Sequence, residues 1–179
     1  TIPLGAMAAG SFHAAFLAPH GAFLIVAHLA CLFALAWSRT TRAAFYTGLA
    51  VGLAICVPQL WFFWGVYGRA AIGLWLAVSL GTAIFLLVAR GAVGMLGSRL
   101  GAAAIPLLWT GWEYFRGELN PLRFTWLTAG QAFADMPAAV HLDVLGVYGI
   151  GFAIMALVAA CAILRRWWGW LGAGLAVVL

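Results

Sequence analysis

The sequence predicts an all-α fold: a polytopic membrane-embedded helical bundle with about six to seven transmembrane segments. The first observation behind this is composition, since 66% of the residues are hydrophobic and 7% are charged, with a mean hydropathy of +1.09. A soluble domain carries about a quarter charged residues, so this chain lacks the polar groups to cover a water-facing surface. The second is run length. Residues 1–38, 43–68, 70–89, 144–164 and 167–179 hold no Asp, Glu, Lys or Arg, and roughly 20 apolar residues suffice for a helix to span the hydrocarbon core. The third is that no stretch alternates polar and apolar residues as the strands of a membrane β-barrel do.

Seven segments follow in order. The first, 4–17, is short and ends at Pro19-His20-Gly21, a turn signal between two apolar runs. The second, 21–37, stops before Arg39 and Arg42. The third, 43–66, closes at Arg69, and the fourth, 71–90, reaches Arg90. The fifth, 99–115, runs into an extended loop, 116–143, that contains Pro121 and Pro137. The sixth, 144–164, ends at Arg165 and Arg166, and the seventh, 167–179, is too short to span. The chain therefore reads as a transmembrane domain, 1–179, cut before an outer-face domain. The N-terminal run has no basic n-region and is not read as a signal peptide. Gly48–Gly52 and Gly97–Gly101 have the small-xxx-small spacing that lets helices approach closely. Trp61, Trp64, Trp109, Trp112, Trp167, Trp168 and Trp170 lie near segment ends and read as headgroup-level belt residues.

Arginine placement sets the expected orientation. All nine basic residues are Arg. The 2–3, 4–5 and 6–7 connections hold six of them and no acid, whereas Arg69, Arg116, Arg123 and all four acids fall on the other side. The positive-inside rule then puts the N-terminus in the cytoplasm. The arginines form no basic patch with interleaved aromatics, so the net charge of +5 does not indicate nucleic acid. Cys31, Cys56 and Cys161 lie within apolar runs, where a thiolate would lose its solvation, and read as inert packing residues. His13, His20, His28 and His141 have no metal-ligand spacing, and GVYGIG lacks the spacing of a dinucleotide fingerprint. Neither metal nor cofactor is expected.

The polar stretch WTGWEYFRGELNPLRFTW, residues 109–126, contains two of the four acids, Glu113 and Glu118, beside Arg116 and Arg123. Three residues apart on a helix, Glu113 and Arg116 should share a face, where a guanidinium lowers the penalty of a carboxylate near hydrocarbon. Two readings stay open. One is an ion-pair clamp tying the helix end to the loop; the other is a contact to a lipid headgroup or to a domain on the outer face. Asp143 is placed to cap the sixth segment or to meet that domain, and Tyr148 to pack at the interface or line a lipid groove.

PLLWTGWEYFRGELNPLRFTWLTAG followed, after a loop, by HLDVLGVYGIGF resembles the membrane half of apolipoprotein N-acyltransferases. That family shows a helix ending in Trp-x-x-Glu-x-x-Arg, then a loop with Trp and Gly, then Gly-Val-Tyr-Gly opening the next helix. The matching positions are Trp109 or Trp112, Glu113, Arg116, Trp126, Gly130, Gln131, Gly146, Val147, Tyr148, Gly149 and Phe152. FLAPHGAFLIVAHLACLFAL and TTRAAFYTGLAVGLAICVPQLWFFWGVYG resemble the family's first and third helical regions. The chain departs from the pattern at Gly151, where Ser is usual, and at His20, in place of a second Pro. The resemblance implies transfer of an acyl chain from a phospholipid donor to the N-terminal cysteine of a lipoprotein substrate, at the outer face of the bacterial inner membrane. It places the chemistry in a nitrilase-like domain using Glu, Lys and Cys. This chain has no Lys, so no catalytic residue is assigned and the 179 residues alone are expected to be inactive. Glu113, Arg116, Trp126 and Tyr148 are the candidate substrate or interdomain contacts. A small transporter, a non-catalytic scaffold and the anchor of a fused lipid-carrier glycosyltransferase are the alternatives. Clustering of charge at segment ends, with no visible repeat, counts against transport.

Overall fold

A computed structural model of the chain describes residues 2–18, 20–136 and 142–164, with backbone alone for 165–178. All regular structure among the described residues is helical. Three helices are long and apolar enough to cross a membrane, Thr41–Gln59, Ala70–Leu119 and Leu142–Leu164, and two shorter apolar helices, Ile2–Leu17 and Gly21–Leu35, pack with them. The expected six to seven spans are thus met only in part. Two segments are too short to span unaided, and the fourth and fifth are joined into one element. The backbone of the helix Leu142–Val178 runs on through the break expected at Arg165-Arg166, while the side chains of 165–178, Leu179 and His141 lie outside the described residues.

Helix α1 (Ile2–Leu17) ends at the turn that Pro19-His20-Gly21 foretells, with His20 at φ 61°. A proline ring holds φ near about −65°, so the second Pro of the family pattern could not take this shape. A 3-10 turn (Gly21–Leu24) leads into α2 (Ile25–Leu35), which buries Ile25, Leu29, Leu32 and His28. The His28 ring is satisfied by Ala8 O, 2.8 Å from Nδ1.

Helix α3 (Thr41–Gln59) starts where Thr40 accepts the Ala43 N–H at 3.1 Å. Pro58, inside it, has no N–H, so the carbonyl of Ala54, four residues earlier, loses its helical donor. His13 of α1 replaces that donor, its Nε2 lying 2.9 Å from Ala54 O. A carbonyl only accepts, so Nε2 carries the proton, and Nδ1 is left to accept from Gln59 Nε2 at 3.2 Å. In an apolar bundle a freed carbonyl must be re-satisfied by a neighbour. His13→Ala is therefore expected to lower stability by about 1 kcal/mol, and by clearly less in a Pro58→Ala background, where the backbone N–H gained at that position restores the helical bond. A double-mutant cycle on the detergent-solubilised protein measures this, and equal losses in both backgrounds would sever His13 from Pro58.

The third segment was expected to reach 66, but α3 stops at Gln59 and a turn precedes the short α4 (Phe62–Tyr67). Trp75 Nε1 donates to Leu60 O at 3.1 Å and so closes the helix end. Trp61, Trp64 and Trp75 stack with interplanar angles of 14–15°.

Helix α5 (Ala70–Tyr114) is two antiparallel arms. The 45 residues would extend roughly 70 Å as one straight helix. Instead, the chain reverses at Gly97, whose φ 79°, ψ 167° lies outside the helical region and where L side chains rarely go. The contacts across the reversal are symmetric about that residue. A Cβ on Gly101 would lie 2.5 Å from Val93 Cα, Phe85 meets Trp109 with ring centroids 5.0 Å apart, and Trp112 fills the space beside Gly81. The expected loop between segments four and five thus shrinks to one residue, and Gly97 serves as the turn rather than as half of a packing pair. Trp109, 8% exposed, belongs to the core and not to an interfacial belt; Trp61 and Trp64, 59% and 42% exposed, do face outward.

Gly48 and Gly52 do what their spacing suggests. Added Cβ atoms would lie 2.6 Å from Ala83 Cα and 2.8 Å from Ser79 Cα, so α3 crosses the first arm of α5 backbone to backbone. Arg90 ties the first arm of α5 to the 2–3 connection at one end of the bundle, donating to Ser38 O (3.0 Å), Arg39 O (3.1 Å) and Thr41 Oγ1 (3.3 Å). The other end carries the 120–136 connection and α6 (Leu142–Val178). Asp143 sits in the first turn of α6, and Gly146, at φ 64°, ψ 172°, breaks that turn from the rest.

Candidate functional site

The connection after α5 does not lie over the end of the bundle; it dips into it. Gly81, level with Trp112 across the hairpin, is eleven residues inside the start of the first arm, roughly 16 Å at about 1.5 Å per residue. Glu113 therefore lies well below the start of α5 and not at its rim. Ala129 and Phe133, from a 3-10 turn (Ala129–Phe133), are 1% and 2% exposed and share the core of Ile25, Leu29 and Trp109. Phe133 meets Phe23 with centroids 5.4 Å apart, and Gly130 lies directly against the Val147 backbone. Irregular backbone so deep in an apolar bundle needs internal partners for its polar groups.

Glu113 supplies one of them. Its carboxylate is 1% exposed and Oε1 accepts the Ala129 N–H at 2.8 Å. Arg116 supplies another, its Nη2 donating to Leu127 O at 3.3 Å while the guanidinium lies over the Phe124 ring, 5.7 Å from the centroid. Between these anchors Leu127 adopts φ 60°, a left-handed conformation unfavourable by about 1–2 kcal/mol for a residue with a Cβ. Such a conformation persists where its surroundings over-determine it. Gln131 Oε1 adds a bond from the Thr128 N–H at 3.2 Å.

The hydrogen bonds that hold the loop run from this pair to its backbone. Glu113 and Arg116 each bond to the loop backbone, two residues apart, while Glu113 Oε2 and Arg116 Nε have no hydrogen-bond partner among the described residues. Just after Glu113, Phe115–Leu119 forms a π-helical turn that carries Arg116. The clamp exists, but it works on the peptide groups of 127–129.

Tyr148 joins the same region from α6. Its hydroxyl donates to Glu118 Oε1 at 3.0 Å, its ring meets Tyr114 edge-to-face at 5.7 Å, and it stands directly against Gly117. Glu118, which sequence reasoning treated only as a charge, is thus part of the site; its signal was the scarcity of acids. Gly151 borders Glu113 too, since an added Cβ would lie 2.7 Å from Oε2 and 3.4 Å from Trp109 Nε1. Ser at this position would crowd the carboxylate.

Trp126 lies apart from that cluster. It is 49% exposed and packs on Phe63, centroids 5.9 Å apart and nearly parallel, and on Phe62 and Phe124. Trp126, Phe63 and Phe124 bound a groove of about 490 Å³ that also takes in Tyr67, Leu74 and Arg123. Phe124 is the link between the two regions, with Arg116 on one side and Trp126 on the other.

Apolar helices long enough to cross a membrane, around a deeply tucked, carboxylate-anchored connection with an aromatic groove beside it, mark the class as a helical membrane domain. A family model described as the apolipoprotein N-acyltransferase N-terminal domain matches residues 5–161. The chain belongs to that family. A comparison with curated proteins returned no match.

Proposed function

We propose that these residues form the membrane domain of an enzyme that transfers an acyl chain from a phospholipid to the N-terminal cysteine of a diacylated lipoprotein. The observation carrying this reading is the aromatic groove at the mouth of the anchored connection, in a chain of this family. Its walls are apolar and Arg123 lies at its edge, a pairing suited to an acyl chain and a phosphorylated headgroup. Glu113 and Arg116 hold the connection in shape; Trp126 and Tyr148 face the lipid or the catalytic domain. The 179 residues hold no Lys, so a Glu-Lys-Cys triad is not assembled from them, and the chemistry falls to a nitrilase-like domain on the loop side. In this reading α1, α2, α3, both arms of α5 and α6 cross the bacterial inner membrane with the N-terminus in the cytoplasm, the two short helices tilting or drawing the bilayer in.

Trp126→Ala, made in the intact protein, is expected to reduce acylation of a diacylated lipopeptide about tenfold, equivalent to about 1.4 kcal/mol, with the protein still folded. Trp61→Ala, at a ring outside the groove lining, serves as the control. Full activity of Trp126→Ala would remove the groove from the reaction.

A further inference from the structure

We propose that Arg123 gives the aromatic groove a phosphate-reading edge, so that the groove takes a glycerophospholipid and turns away a diacyl lipid that has no phosphate. Arg123 is the cation on a lining otherwise formed by residues such as Phe63, Tyr67, Leu74, Phe124 and Trp126, and no carboxylate stands on that lining. Its guanidinium is exposed and has no hydrogen bond or ion pair among the described residues. The backbone beneath it is held in an unusual shape. Arg123 has φ 40°, on the left-handed side that a residue with a Cβ avoids. A tight turn imposes it: Asn120 Oδ1 accepts the Leu122 N–H at 2.9 Å, Asn120 O the Arg123 N–H at 2.8 Å, and Arg116 O the Phe124 N–H at 3.0 Å. Glycine would take this conformation without strain. An arginine kept there, at the edge of a groove, points to a use for its side chain.

Charge and shape together select the occupant. A guanidinium presents five donors in a fork that matches phosphate oxygens. Trp126 and Tyr67, 49% and 57% exposed, are rings suited to the level where headgroups meet acyl chains. The acid nearest in the chain, Glu118, accepts from the Tyr148 hydroxyl. A free phosphate gains nothing from the apolar walls, and a phosphate-free diacyl lipid gains nothing from Arg123. The consequence for catalysis rests on the acyl-transfer reading of this groove. Both substrates of that reaction bring acyl chains to the protein, but the donor alone brings them on a phosphodiester. Arg123 is then the residue by which the groove tells donor from acceptor.

The test is photo-crosslinking of the intact detergent-purified protein with phosphatidylglycerol or diacylglycerol carrying the same photoreactive acyl chain. Peptide mass spectrometry scores the crosslinks on 63–74 and 122–126, the segments that line the groove. The wild type is expected to give about five times more groove crosslinks with the phospholipid, the preference that one arginine near a lipid surface supplies. Arg123→Gly should bring the two lipids level while unfolding at no lower a temperature, because glycine suits a positive φ. Asn120→Ala keeps the charge but loosens the turn, and should fall between the two. Equal labelling by both lipids in the wild type overturns the proposal, as does a preference that Arg123→Gly leaves intact. A lower unfolding temperature for Arg123→Gly also overturns it, since the side chain would then serve the turn and not a ligand. Crosslinking involves no acyl transfer, so a failure here leaves the Trp126→Ala assay to judge the reaction by itself.

Discussion

Glu113→Ala is expected to release the 127–133 segment from the bundle while the helices stay assembled. The substitution removes the acceptor that the structure gives the Ala129 N–H, and an unsatisfied buried amide costs about 1–3 kcal/mol. It also removes one of the two anchors that keep Leu127 left-handed. The Ala129 amide should exchange with solvent at least tenfold faster, with much smaller changes in α2 and α3. Glu113→Gln keeps an acceptor oxygen at Oε1 and should restore most of the protection. The Glu113→Ala, Arg116→Ala double variant should lose both anchors and, in the intact protein, acylation as well. Unchanged protection at Ala129 in Glu113→Ala would mean that packing of Phe133 and Gly130 alone holds the segment, and the carboxylate would need another role.

Gly48→Val should be strongly damaging to the helical scaffold. Its Cβ would fall 2.6 Å from Ala83 Cα and 2.9 Å from Thr82 O, both backbone atoms that no rotamer change can move. Helices α3 and α5 must then separate along their whole crossing, at about 3 kcal/mol, the upper part of the range for overpacking. Gly73→Val, where an added Cβ meets nothing within 4 Å, is the matched control. Thermal aggregation of the solubilised protein should separate the two variants widely. Similar midpoints would show that the backbone contact is not maintained in solution.

The sequence announced the class of the fold more clearly than its turns. Composition and uncharged runs identify apolar helices, because the bilayer leaves few other options for satisfying the backbone. Placing a reversal is harder. Gly97 is one glycine among 22; Arg90, Ser98 and Arg99 mark a connection in this stretch, but nothing in them tells that the chain reverses at a single residue. Pro58 falls inside the segment read as 43–66, and the partner of the carbonyl it frees, His13, lies in the first helix, so only the fold brings them together. The candidate site divides similarly. Glu113 and Arg116 stand out by the rarity of charge, and both prove to act on the same connection. That each also grips a peptide group of the connection is something that spacing alone does not reveal. Tyr148 comes to the site through Glu118 and Gly117, whereas Trp126 belongs to a separate aromatic surface.

The single-residue reversal at Gly97 makes this part of the chain far more tolerant of changed residues than of changed length. Each helical residue turns the chain by about 100°, and a flexible loop would normally absorb an insertion or deletion before it reached the next helix. Here no slack exists. One residue gained or lost between Gly97 and Glu113 would swing the carboxylate a quarter-turn or more away from Ala129, withdraw Trp112 from Gly81 and Trp109 from Phe85, and do so without altering hydropathy. Natural variants of this hairpin should therefore differ by substitution, with indels collected in the connections at 36–40 and 120–126, where the chain has room to take them up.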